Sequence, residues 1–179
     1  MKIKGEFNIK NGNTNKNVKN KFVDRGILGI LFPLVCRHDG TNRHGYARNY
    51  NIRVGSNTDT STGREMESLI DTIGGTQNET DINVTQDGDN YTIKYTATWE
   101  SGSLSGTLGE VGIFLYLPDD RLHASYTSRS PTYNSSSHMG DTDTMFSRIC
   151  EADGDFTSFV IDEEEPLSVE YKLTLTYDP

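Results

Sequence analysis

The sequence predicts a mainly β fold, an antiparallel β-sandwich with two short α-helices and an N-terminal arm. Apolar and polar residues alternate at every position over residues 91–99 and 167–177. This is the period-two pattern of strands with one buried and one exposed face. Turn-forming residues separate six or more strand-like segments, and short strands broken by turns are typical of two packed antiparallel sheets.

The first twenty residues predict a strand followed by a polar arm. Over residues 2–10, polar residues alternate with a second set made up of Ile3, Gly5, Phe7 and Ile9. The dipeptide Asn11-Gly12 then marks a turn, and an asparagine-rich stretch continues to about residue 20. We therefore divide the chain into an N-terminal strand and arm, 1–20, and a single β-sandwich domain, 21–179.

Helical spacing of apolar residues predicts two short helices, near 22–33 and 63–73. Thr62 and Glu65 have the spacing of a capping box at the start of the second helix. Gly74-Gly75 supplies a stop, because glycine tolerates the left-handed backbone conformation. The apolar stripe of this second helix consists of Met66, Leu69, Ile70 and Ile73.

Most of the remaining chain predicts strands. They are expected at 51–55, 82–85, 91–99, 108–117, 122–126, 146–149, 156–161 and 167–177. The turn Asp87-Gly88-Asp89 predicts a hairpin between two of them. Residues 108–117 become apolar on both faces near Phe114, which indicates a central strand. The Ser- and Asn-rich residues 128–144 predict an exposed loop.

Composition sets limits on the class of partner. The 179 residues carry a net charge of -9 with a pI near 4.8, whereas a nucleic-acid surface needs a clustered basic footprint. The chain is long enough for one domain with its own core. Neither an export signal nor a membrane span is expected from its apolar runs. Cys36 and Cys150 are therefore expected as free thiols.

The sequence contains fragments of catalytic patterns but predicts no enzyme. Gly102-Ser103-Leu104-Ser105-Gly106 has leucine where a hydrolase elbow needs serine. Carboxylates at Glu100, Glu110 and 162–165 are candidates for sugar cleavage, but that chemistry needs two carboxyl groups facing across a cleft. The acidic run 162–165 is more simply a solvated turn.

Metal-binding patterns are equally incomplete, and no cofactor is predicted. Zinc needs two close ligand pairs, but the chain has one irregular trio, Cys36, His38 and His44, with other candidates scattered at His123, His138 and Cys150. Calcium needs six to eight oxygens. Three short acidic turns supply a few carboxylates each, at 87–89, 141–143 and 153–155.

Two segments, taken in order, resemble tail and fibre-associated structural proteins of bacteriophages. The first is Ile52-Arg53-Val54-Gly55, followed by a polar loop and the second predicted helix. The other segment, Gly109-Glu110-Val111-Gly112-Ile113-Phe114, is similar to that family's Glu-x-Gly-Leu-Phe strand. Leu122-His123-Ala124-Ser125 then resembles the family's return strand, and 167–177 its closing strand.

The resemblance implies a non-enzymatic virion protein from the tail, collar or fibre-attachment region. Its expected partners are further copies of itself, in a symmetric homo-oligomer, and other virion proteins. Its expected location is the virion, assembled in the host cytoplasm. The arm 1–20 and the loop 128–144 are the expected contact elements. The assembly contacts predicted within them are Phe7, Ile9, Tyr133, His138 and Met139.

A carbohydrate- or host-receptor-binding module is the alternative. Tyr126, Tyr133 and His138 occur in or beside the polar loop, and aromatic residues with polar tips stack on sugars. The sequence leaves this alternative open.

Overall fold

The computed structural model describes residues 2–22, 50–63, 68–78, 81–116 and 143–176. Within these ranges the chain is mainly β, and its sheets are antiparallel, as predicted. A single short 3-10 helix, Glu151–Asp153, occurs in the same ranges. The strands are β1 Lys2–Asn11, β2 Thr14–Lys19, β3 Lys21–Phe22, β4 Tyr50–Gly55, β5 Thr72–Asn78, β6 Asp81–Asp87, β7 Asn90–Trp99, β8 Thr107–Leu108, β9 Glu110–Tyr116, β10 Asp143–Cys150, β11 Phe159–Val160 and β12 Leu167–Thr176.

The strands form two five-stranded sheets and one short ribbon. The first sheet, sheet A, has the order β2-β1-β12-β7-β6. Sheet B has the order β3-β10-β9-β4-β5, and β8 pairs with β11. The central strand of sheet A is β12, which pairs along its whole length with β1 on one side and with β7 on the other. Both predicted strands with strict alternation therefore lie in this sheet.

One hydrophobic core receives side chains from both sheets. Alternate residues of each strand point to the same face, and those facing inward share one continuous cluster. Aromatic rings link the side chains of sheet A to those of sheet B. Within sheet A, Phe7 contacts Tyr171 with ring centroids 4.9 Å apart. Tyr171 in turn packs edge-on against Phe146 of sheet B, with centroids 6.0 Å apart. The core is built from residues far apart in sequence, so its formation requires the strands to assemble.

The N-terminal segment is part of sheet A, not an arm outside it. Strands β1 and β2 form a hairpin around Asn11–Thr14, and β1 pairs in register with β12 from Lys2↔Thr176 to Asn11↔Leu167. Phe7 and Ile9 have no solvent exposure. The polar arm predicted after residue 11 is instead the edge strand β2. Its alternation is not recognisable in the sequence, because Val18 is the one apolar residue among the inward-facing positions of this strand.

The predicted helix near 63–73 is wrong where the structure describes it. Residues 68–71 form bends and irregular backbone, and β5 begins at Thr72. Its apolar stripe is divided, because Leu69 is buried while Ile70 is half exposed. Gly74, predicted as a helix stop, has a φ of 66° and lies in β5, where the pairing with β4 shifts register. The predicted helix near 22–33 falls beyond Phe22, outside the described residues.

Most strand predictions are confirmed where they can be compared, but only Phe159–Val160 of the strand predicted at 156–161 is a strand, and the one predicted at 108–117 is interrupted at Gly109. The predicted strand at 51–55 matches β4, and the hairpin around Asp87-Gly88-Asp89 joins β6 to β7. Strand β9 lies between β10 and β4, as its apolar faces predicted. The return strand at 122–126 and residues 128–142 of the predicted loop 128–144 lie outside the described residues. The last two residues of that loop, Asp143 and Thr144, belong to β10, so the loop prediction is wrong there.

Candidate functional site

Of the five residues predicted as assembly contacts, the structure describes Phe7 and Ile9. Phe7 and Ile9 are fully buried in the core of this chain. Neither side chain is exposed to a partner as the chain is described, because the alternation of β1 turns both inward toward Tyr171 and its neighbours. Tyr133, His138 and Met139 lie outside the described residues, as does Tyr126 of the alternative sugar-binding hypothesis.

The most unusual polar feature is a fully buried ion pair between Glu110 and Arg148. Both side chains have no solvent exposure. Arg148 donates from Nε and Nη2 to the same carboxylate oxygen, Oε2, at 2.8 and 2.6 Å. Glu110 opens β9 and Arg148 lies in β10, and the antiparallel register of these strands places Arg148 beside Gly112. A Cβ at Gly112 would lie 3.0 Å from Cδ2 of Leu69 and 3.0 Å from Cε2 of Phe114, so the missing side chain lets these two residues pack on that face of β9.

The remaining donors of Arg148 reach into the segment that follows β4. Nη1 donates to the carbonyl oxygen of Thr60 at 2.9 Å and to the Thr62 hydroxyl at 3.2 Å. Nη2 also lies 3.5 Å from Oδ1 of Asn57. A planar guanidinium with five fixed N–H groups suits this kind of multiple contact. Arg148 therefore holds residues 57–62 against the outer face of sheet B.

Glu110 makes a corresponding set of contacts with the segment before β5. Its Oε1 accepts the backbone N–H of Asp71 at 2.8 Å, and its Oε2 lies 3.3 Å from the backbone nitrogen of Ile70. These donors help to compensate the carboxylate for the loss of water. Both ends of the connection between β4 and β5 are therefore fastened by one charge pair, and the pair acts as a structural staple.

Cys150 lies beside this staple and is also fully buried. Its sulfur is 3.3 Å from Nη1 of Arg148 and 3.8 Å from the Thr62 hydroxyl. Burial raises the pKa of the thiol, and the nearby Arg148 charge opposes that shift only in part. The thiol is thus kept in its neutral form, which is the less nucleophilic one.

Cys150, Asp153 and Asp155 form the one cluster of possible metal ligands found among the described residues. Their ligand atoms lie within 4.8 Å of one another. Both carboxylates already accept backbone N–H groups, Asp155 from Cys150 at 3.2 Å and Asp153 from Thr62 at 3.0 Å. Three donors, one of them a protonated thiol, fall short of the oxygen-rich shell of calcium or the closed tetrahedron of zinc. We interpret the cluster as a turn that secures the end of β10.

The other chemical candidates from the sequence are dispersed. Leu104, at the centre of the elbow-like sequence, is a buried core residue. Glu100 and the acidic turn 87–89 are exposed at separate points of sheet A. Cys36 and all four histidines lie outside the described residues.

The two edges of sheet A form the clearest exposed feature. All seven residues of β6 are exposed, and Ile82 and Val84 keep 50% and 66% of their surface in contact with solvent. Their alternation places them on the inward side of the sheet, beside Tyr95 and Ile93 of β7. At the opposite edge, β2 borders an open groove of about 510 Å³. The groove is lined by Lys16, Asn17, Val18, Glu151, Gly154, Asp155, Phe156 and Thr157.

Comparisons with protein-family models, with curated proteins and with solved structures found no match to this chain. In the part of the chain that the structure describes, there is no helix with the length and apolar character needed to span a membrane.

Arg148 was not among the candidate residues predicted from the sequence. Glu110 was considered there as a candidate carboxylate for sugar cleavage, not as a partner in a buried ion pair. A signal was present, because Arg148 is the one charge in the otherwise apolar or small run 145–150, and Glu110 begins a strand apolar on both faces. A charge in such a run needs a buried partner. Which charge would meet which depended on the register of β9 and β10, and that register is a tertiary property.

Proposed function

We propose that this chain is a non-enzymatic structural protein of a bacteriophage particle, a tail, collar or fibre-attachment component. It acts through protein–protein contacts. The observation that carries the proposal is strand β6, which among the described strands pairs with β7 alone and forms one edge of sheet A. It also exposes Ile82 and Val84. An edge strand with exposed apolar side chains is a template for another chain.

The buried charges support a structural role over a catalytic one. Glu110 and Arg148 are sequestered from solvent, and their polar atoms are directed at the chain's own backbone and side chains. Cys150 is neutral and covered. These groups stabilise the fold, and within the described ranges the surface that is open to a partner lies at the edges of sheet A.

The phage setting comes from the resemblance of residues 52–55 and 109–114 to the tail and fibre-associated family. In this proposal the two five-stranded sheets pack face to face as a β-sandwich, a rigid scaffold for repeated contacts. The partners are further copies of the chain and neighbouring virion proteins. The site of action is the virion, assembled in the host cytoplasm.

Two measurements test this function. The purified chain is expected to associate reversibly, with a mass that rises with protein concentration in sedimentation equilibrium. Antibody raised against the chain is expected to label phage particles at symmetric positions in electron micrographs. A chain that remains monomeric at every attainable concentration would contradict self-assembly, and unlabelled particles would contradict the virion setting.

A further inference from the structure

The two edges of sheet A carry opposite charges. The β1–β2 hairpin, residues 2–19, holds five lysines against one glutamate, a net charge of +4. The β6–β7 hairpin, residues 81–99, holds three aspartates against one lysine, a net charge of -2. A net charge of +4 on one edge is unexpected in a chain whose total is -9. Sheet A is therefore electrically polarised across its width.

We propose that β6 of one copy pairs with β2 of the next copy, so that sheet A continues from subunit to subunit. This inference rests on the proposed self-assembling function and names the surfaces that it uses. The occupant of each edge is a second copy of this chain, and the charge complementarity of the two edges selects it. Opposite charges placed across neighbouring strands are favourable, whereas like charges are unfavourable.

The direction of pairing follows from the strand order. Four antiparallel steps separate β2 from β6, so the two edge strands run in the same direction. Copies related by rotation about an axis along the strands therefore meet through a parallel β6–β2 junction. Such a head-to-tail contact is heterologous and generates a ring when the rotation closes, or a filament when it does not.

The faces of the two strands also match in this arrangement. Placing Asp87 beside Lys19 on the outward face puts Gln86 beside Val18 and Val84 beside Lys16 on the inward face. Val84 then lies diagonal to Val18, at the mouth of the groove that Val18 and Phe156 line. The exposed apolar surface of β6 would be covered there by the aliphatic stem of Lys16 and by Val18.

The same charges oppose the competing pairings of identical edges. Antiparallel pairing of two β6 strands about Val84 sets Asp81 of one copy against Asp87 of the other. Pairing of two β2 strands concentrates lysines at one seam. Edge lysines commonly guard against indiscriminate pairing. Here they exclude the basic edge of another copy while accepting the acidic one.

Charge-swap variants of the full chain test the junction. Asp87→Lys sets two lysines against each other, and Lys19→Glu sets two acids against each other. Each variant alone is expected to weaken association about tenfold, the effect of reversing one cross-strand pair. An equimolar mixture restores both complementary junctions and is expected to regain the wild-type association constant. Matched controls are Glu100→Lys and Glu164→Lys, which make the same change of charge as Asp87→Lys at exposed residues outside both hairpins.

A second pair of variants separates edge contact from general surface charge. Val84→Lys places a cation on the inward side of β6 and is expected to abolish association. Val160→Lys changes a side chain that is 75% exposed in another strand and is expected to leave association unchanged. Circular dichroism confirms that each variant retains its β structure.

The possible outcomes distinguish the two proposals. Association of the wild type that is unaffected by the swaps, or lost in the swaps and not regained on mixing, would overturn the β6–β2 junction while leaving self-assembly in place. A wild type that never associates would overturn the proposed function itself, and the junction with it.

Discussion

The guanidinium of Arg148 lies 2.6 Å from the carboxylate of Glu110, and neither side chain reaches solvent. Burying two charges is costly, so such a pair is retained only with excellent geometry and further hydrogen bonds. Here those bonds lead to the backbone of residues 60, 70 and 71. The pair therefore fastens both ends of the β4–β5 connection to the centre of sheet B.

Removing one partner of this pair is expected to be severely destabilising. Glu110→Gln or Arg148→Met leaves an uncompensated buried charge and should lower the free energy of unfolding by about 3–5 kcal/mol. The measurement is urea denaturation followed by circular dichroism. In the double variant Glu110→Leu/Arg148→Met both charges are gone, so part of the loss should be recovered. Recovery is incomplete because the N–H groups of Ile70 and Asp71 still lack their acceptor. Additive losses in the double variant would contradict the coupling.

Cys150 should make stability depend on pH in the alkaline range. Because burial raises its pKa in the folded state, the folded chain binds the thiol proton more tightly than the unfolded chain. This contribution is fully present below the pKa of the unfolded thiol, about 8.5, and is lost as the pH rises through the higher pKa of the folded thiol. The unfolding free energy of the wild type should therefore fall more steeply above that pH than that of Cys150→Ala. Parallel curves of unfolding free energy against pH for the two proteins would show that burial does not raise the pKa of Cys150.

Gly109 should not tolerate a side chain. A Cβ at this position would lie 2.6 Å and 2.7 Å from the carbonyl oxygens of Asn57 and Ser56, which are rigid backbone atoms in the segment fastened by Arg148. Gly109→Ala is expected to cost about 1–3 kcal/mol of stability, in the range of overpacking. Gly63→Ala is the matched control, because nothing lies within 4 Å of its added Cβ. Equal melting temperatures for the two variants would contradict this reasoning.

Deleting residues 1–20 is expected to unfold the chain instead of releasing an arm. The deletion removes β1 and β2, uncovers one whole side of β12, and takes Phe7 and Ile9 out of the core. Losing two fully buried large side chains alone costs several kcal/mol, comparable to the whole stability of a domain. The truncated chain should lose its cooperative thermal transition. A folded truncated chain would restore the arm hypothesis.

The sequence predicted those elements whose burial is one-sided. In β7 and β12 every second residue faces the core, so the alternation is complete and the strands were identified with accurate limits. The prediction failed at residues 68–73, where Leu69, Ile70 and Ile73 have helical spacing by coincidence. Their backbone is fixed by the Glu110 carboxylate, a tertiary contact that outweighs local preference. The Glu110–Arg148 pair was missed for the same reason, since its partners are 38 residues apart.

The position of β12 at the middle of sheet A has a consequence for biosynthesis. The β1–β2 and β6–β7 hairpins are each local in sequence, so either can close while the ribosome is still translating. The two hairpins remain separate until β12 has been synthesised and pairs with β1 on one side and with β7 on the other. A nascent or prematurely stopped chain therefore carries two unjoined half-sheets with Phe7 and Tyr95 uncovered. Such species should be substrates for chaperones and prone to precipitate.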